Sequence, residues 1–239
     1  MIEILGAPLW LTVCVGCGFL LDGLAVNLNW TQVKPYAKVG AMLLVILWTI
    51  VATGFQWDWP IRLLLAAQVF GLLGDTFLLF PNKWFVYGLG AFLLGHFCYI
   101  GLLFILLVRG LSQGWMQDLT LTLTLVGIVL WGLVVLIFWR VFAPHFRQSK
   151  ASGTFWYAIL FYAQTLSGLS LLTLFFVLLV PGHDFAQWFL PAGGLLFFVS
   201  DFLLAYDRFI QRIRLGQFWV HLTYHLAQFC LALGIVQYL

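Results

Sequence analysis

The sequence predicts an all-α polytopic membrane protein, with eight transmembrane helices in a single domain spanning residues 1–239. Three observations carry this reading. Hydrophobic residues make up 64% of the chain against 8% charged, so most side chains cannot face water. Apolar runs long enough for a hydrocarbon core of ~30 Å recur from end to end. No polar stretch is left over that could fold as a separate soluble domain.

Taken in order, the helices are expected at about 4–26, 36–55, 60–80, 84–108, 119–141, 154–180, 185–206 and 216–238, joined by short connections. The first has only Glu3 ahead of it and no basic n-region, so it reads as a retained span rather than a cleaved signal peptide. Pro35, Pro60, Pro81, Pro144 and Pro181 sit at or near expected helix ends, where a missing backbone donor costs least in lipid. Pro191 falls early in the seventh helix and is a place for a kink. Trp30, Trp57, Trp59, Trp84, Trp115 and Trp139 fall near span ends, as interfacial belts do. Cys14 and Cys17 form a CVGC inside an apolar helix, without the strand and turn of a redox motif; with Cys98 and Cys230 they are expected to be small buried hydrophobes.

Charge sets the orientation. With the N-terminus outside, Lys34, Lys38, Lys83, Arg140, Arg147, Lys150, Arg208, Arg212 and Arg214 fall on the cytoplasmic side, and only Arg62 and Arg109 on the other. Nine against two places both termini on the outer side by the positive-inside rule. The net charge of +3 is thus an orientation signal, and no basic groove interleaved with aromatics suggests nucleic acid.

Two phrases resemble each other. GDTFLLF, at 74–80, ends the third span, and SDFLLAYDRF, at 200–209, ends the seventh. Each has a small residue before an aspartate, and His96 and Tyr99 follow Asp75 at nearly the separations at which His221 and Tyr224 follow Asp201. This suggests a parallel repeat of two four-helix halves, since an even number of spans preserves orientation. Both aspartates are then expected about five residues before the cytoplasmic ends of their helices, at one depth, facing each other across a cavity. An acid there should point into the bundle; it is either a polar clamp between helices or a group that gives and takes protons.

Other polar side chains fall on faces that can meet them. His221, Tyr224, His225 and Gln228 form one stripe of the eighth helix, and Gly88, Phe92, Gly95, His96 and Tyr99 one of the fourth. Tyr157 and Gln164 lie two turns apart on the sixth, and Asp22 is a third acid near the end of the first. In VKPYAK, at 33–38, Lys34 and Lys38 are one turn apart and can either hold an anionic headgroup or simply anchor the helix end.

The run GLLGDTFLLFPNKWFVYGLGAFLLGHFCYI at 71–100 resembles the YhhN family of integral membrane proteins, whose characterised members are lysoplasmalogenases. VKP at 33–35, FFVSDFLLAYDRF at 197–209 and TYHLAQ at 223–228 are similar to the family in the same order. Two features depart from it: a longer stretch around APHFRQSKASG at 143–153, and His225 where the family often has an aromatic residue. The resemblance implies hydrolysis of the vinyl ether bond of lysoplasmalogens to a fatty aldehyde and glycerophosphocholine or glycerophosphoethanolamine, in a bacterial inner membrane. It implies Lys34, Asp75, His96, Tyr99, Ser200, Asp201, Arg208, Tyr224 and Gln228 as the site or its surround.

That chemistry suits the residues. Protonating the β carbon of a vinyl ether gives an oxocarbenium ion that water captures, and the hemiacetal then collapses. Two carboxylates in unequal surroundings can supply the proton and steer the water, as they do on glycosidic acetals. Asp75 and Asp201 are the expected catalytic pair, their order open, with Tyr157 and His221 added to the substrate-binding surround. The expected partners are a lysophospholipid substrate and membrane lipid, with no cofactor and no metal. Two rivals remain. A proton-coupled transporter or receptor would bind a ligand without consuming it. A metal-dependent lipid hydrolase would use histidines such as His221 and His225, at i, i+4 spacing, although the only Glu in the chain is Glu3.

Overall fold

The computed structural model describes residues 3–4, 6–80, 82–112, 121–148, 153–180 and 185–239. Eight helices follow one another: α1 (Leu9–Asn27), α2 (Lys34–Ala52), α3 (Trp59–Leu78), α4 (Phe85–Ser112), α5 (Leu121–Gln148), α6 (Gly153–Leu179), α7 (Phe189–Phe209) and α8 (Gly216–Val236). All eight are long and apolar enough to cross a membrane. Pro81, Trp115, Lys150 and Pro181 lie outside the described residues.

Boundaries differ from expectation where backbone chemistry intervenes. The first helix begins at Leu9, because Glu3–Ile4 pairs with Ala7–Pro8 in a two-residue antiparallel ladder turned at Gly6, whose φ of 82° suits glycine. Extended Pro8 then leads into the helix. Pro35 and Pro60 occupy first turns, where no intrahelical donor is lost, and Asp58 caps α3 by accepting from the Ile61 amide at 3.2 Å. Pro144 lies inside α5 rather than beyond it; the missing donor costs one bond near the helix end and the last turn persists to Gln148. Pro191 is the third residue of α7, again a first-turn position, so it needs no kink.

Because lipid is as apolar as leucine, packing inside the bundle rests on close fit and satisfied polar groups. Glycine supplies the closest approaches. A Cβ on Gly234 of α8 would lie 2.5 Å from the Leu190 amide of α7, and one on Gly71 of α3 would reach within 2.7 Å of Gln228 Nε2 on α8. The most extensive helix pairs are α3 with α4 and α7 with α8. Between the halves, α4 packs on α6 and α8 on α2, the exchange a four-plus-four arrangement requires. The peripheral helix is α5, which packs mainly on α6 and touches α7 where Phe142 meets Phe202 edge-on at 5.7 Å.

Trp30, Trp57, Trp59 and Trp139 are exposed near helix ends, as expected of a belt. The cysteines differ from expectation: all four are free, but Cys17 is exposed and the others are only partly buried, Cys98 packing against the edge of the main hydrophobic cluster.

Candidate functional site

The starts of α2 and α8 and the ends of α3 and α7 meet beside α4 around a small cavity lined by Lys38, Asp75, Phe92, Ser200, Asp201, Tyr224 and His221, among others. The two aspartates thus share one cavity, but not by the expected arithmetic. Asp75 lies three residues before the end of α3 and Asp201 eight before the end of α7, because α7 runs a turn further, to Phe209. The chain reverses after it around Asp207, which accepts from the Ile213 amide at 2.7 Å and pairs with Arg212 at 2.9 Å.

The two acids have different neighbours. Lys38 Nζ stands 3.0 Å from Asp75 Oδ1, both side chains buried. The approach makes a buried ion pair, and the Tyr224 hydroxyl also interacts with the Asp75 carboxylate. Asp201 has no cation at ion-pair distance among the described residues; its Oδ2 accepts a hydrogen bond from the Tyr162 hydroxyl of α6. Asp201 is partly open, and it and Tyr162 also line an apolar slot with Phe85, Leu89, Phe138 and Phe198.

The cavity also meets a wider mouth, lined by Lys34, Lys38, Asp207, Arg208, Arg212, Gln217 and His221 among others. Lys34 donates to the Gln217 side chain, tying the start of α2 to that of α8, and the Arg208 guanidinium lies 3.9 Å from the centre of the Phe85 ring. Counting space open to the surroundings, about 250 Å³ lies free in the central cavity and about 500 Å³ in the slot, so the slot is the roomier of the two.

The other expected residues divide into those beside the acids and those behind them. Ser200 donates to the Val220 carbonyl at 3.1 Å and lines the cavity, as does Tyr224, whose hydroxyl points to Met42 Sδ at 3.8 Å. Tyr99 donates to Gln228 Oε1 at 2.6 Å and Gln228 reaches the Tyr224 hydroxyl at 3.4 Å, a buried chain from α4 to α8 that fixes the Tyr224 ring. His96 is fully buried against Phe197 and Tyr162, with ring centres 4.7 and 5.3 Å away, and neither ring nitrogen has a hydrogen-bond partner among the described residues. Tyr157 stands apart, 72% exposed on the outer face of α6. Its place beside the acids is taken by Tyr162, five residues on.

Sequence reasoning did not single out Tyr162; the signal was a hydroxyl in the apolar run AILFYA, which must find a partner if buried. Lys38 was read only as a headgroup anchor, although it lies one turn deeper than Lys34. Tyr162→Phe should leave the fold intact and lower any turnover at Asp201 several-fold, since a hydrogen bond to an uncharged acid is worth about 0.5–1.5 kcal/mol. Rates and unfolding midpoints of the purified variant check this.

Asp22, the third acid, is fully buried: its Oδ2 lies 2.8 Å from His221 Nδ1 and 3.0 Å from His225 Nε2. These three side chains are the only group among the described residues whose donors converge closely enough to hold a metal ion.

The YhhN family model matches residues 31–235, which takes in every residue around the two aspartates. No curated protein and no solved structure matches the chain.

Proposed function

Because the chain belongs to the YhhN family, we propose that it is a lysoplasmalogenase, cleaving the vinyl ether bond of a single-chain phospholipid with Asp75 and Asp201. One observation carries the reading: the two acids lie where a cationic mouth, a narrow polar cavity and an apolar slot meet. A lysoplasmalogen has the same three parts in the same order, a phosphate, a vinyl ether and a hydrocarbon chain. Lys34, Arg208 and Arg212 face the phosphate, the chain lies along the slot, and the reacting bond falls between the carboxyl groups.

The neighbours of the two acids favour separate roles for them. Asp75, beside the Lys38 ammonium, is the carboxylate; it faces the oxocarbenium ion and orients the attacking water. Asp201, with a hydroxyl and no cation beside it, carries the proton on the oxygen that Tyr162 does not engage. It delivers that proton to the β carbon of the vinyl ether. Water adds to the α carbon and passes a proton to Asp75; the hemiacetal then breaks as Asp75 gives that proton to the leaving glyceryl oxygen and Asp201 takes the hydroxyl proton, which yields the fatty aldehyde and the glycerophospho headgroup and restores both acids. The mouth lies on the side rich in Lys and Arg, which the positive-inside rule makes cytoplasmic.

The test is to incubate the purified protein with a lysoplasmalogen and to measure released aldehyde, with the saturated alkyl ether analogue as control. Aldehyde from the vinyl ether alone is expected. Saturable binding of the lipid without any aldehyde would instead favour a transporter or receptor.

A further inference from the structure

We infer that Asp22, His221 and His225 form a binding site for one zinc-class divalent ion, fastening α1 to α8 beside the cavity. One ligand atom from each residue lies within 4.8 Å of the others, and two of the separations are 2.8 and 3.0 Å. A tetrahedral ion with bonds of about 2.0–2.1 Å holds its donors ~3.3 Å apart, so each donor would move out by a few tenths of an ångström to take it. Two imidazole nitrogens and one carboxylate oxygen are a donor set that suits zinc.

Hydrogen bonding alone explains the cluster poorly. Both imidazoles converge on the same oxygen, Oδ2, while Asp22 Oδ1 and His225 Nδ1 are buried without hydrogen-bond partners among the described residues. Asp22 is fully buried, and no lysine or arginine stands at ion-pair distance among those residues. A carboxylate removed from water needs a compensating cation, and a divalent ion shared with the two imidazoles supplies it. Packing already holds the ligands in place: Phe19 of α1 stacks on the His225 ring, with centres 5.3 Å apart and planes 12° from parallel. His221 also lines the cavity and the mouth, so the ion would sit directly behind a wall of the proposed active site.

Asp22 lies outside the stretch that matches the family, whereas His221 and His225 lie within it. The whole protein, purified in detergent, stripped with a chelator and dialysed, is titrated with zinc chloride and separately with cobalt(II) chloride. One zinc per chain is expected, with a raised unfolding midpoint, and cobalt should give the intense visible absorption of a four-coordinate site. Asp22→Asn and His225→Phe, the latter keeping a ring to stack on Phe19, should each weaken zinc binding by more than ~100-fold, since even partners of a ligand are worth 10–100-fold. Absence of stoichiometric zinc, a cobalt spectrum no stronger than that of the aqueous ion, or unchanged binding in both variants would each overturn the inference. The wild-type cobalt spectrum decides the matter even if a variant does not fold. Aldehyde release plays no part in any of these readouts.

Discussion

Asp201→Asn is expected to lower aldehyde release by ~10²–10⁴-fold, the usual contribution of a positioned proton donor. An amide has nearly the shape of the acid and still accepts from Tyr162, so the hydrogen bond to α6 and the walls of the slot survive. What is lost is the transferable proton. The unfolding midpoint should therefore move little while kcat collapses, and KM for the lysolipid should hardly change, because phosphate and chain are held elsewhere. Asp75→Asn should abolish turnover as well, but with a lower midpoint, since it leaves the Lys38 ammonium buried without its partner. Full activity in both variants would reject the catalytic pair.

Lys38→Met carries the largest expected effect on stability. The substitution keeps an unbranched chain of similar length and removes the charge beside Asp75. Breaking one side of a buried ion pair typically costs about 3–5 kcal/mol, because the remaining charge keeps its desolvation penalty. Removing both charges in Lys38→Met with Asp75→Asn should recover most of that loss without restoring activity. The unfolding midpoints of the two single variants and the double variant, measured in one detergent, form the cycle. If Lys38→Met alone cost under ~1 kcal/mol, Asp75 would be the neutral member, and the roles of the two acids would be exchanged.

Much of the fold is legible in the sequence because a bilayer imposes a length and a composition on every span. All eight helices lie close to where the apolar runs place them. The departures are local. Pro144 continues a helix that it was expected to end, and Pro8 delays one, because a single missing donor is weighed against neighbouring turns that no local pattern describes. The candidate site was legible in part. Asp75 and Asp201 could be matched because each sits in a phrase repeated along the chain. Their partners could not, since Lys38 and Tyr162 meet them from α2 and α6, and contacts between distant helices leave no trace in periodicity. Tyr157 illustrates the limit: it lies on the right helix, yet its position turns it outward, while Tyr162 faces the core. His221 and His225 show a spacing that suits a metal, but the third donor, Asp22, lies 199 residues before His221.

The apolar slot is walled by side chains of four helices, and one wall belongs to α5, the least embedded of the eight. A hydrocarbon chain lying in it would meet Asp201 without crossing water. If the proposed reaction runs on such a chain, the governing variable is two-dimensional: turnover would follow the mole fraction of substrate in the bilayer or micelle, and adding inert lipid would slow it by dilution within the surface even when the bulk concentration is held constant.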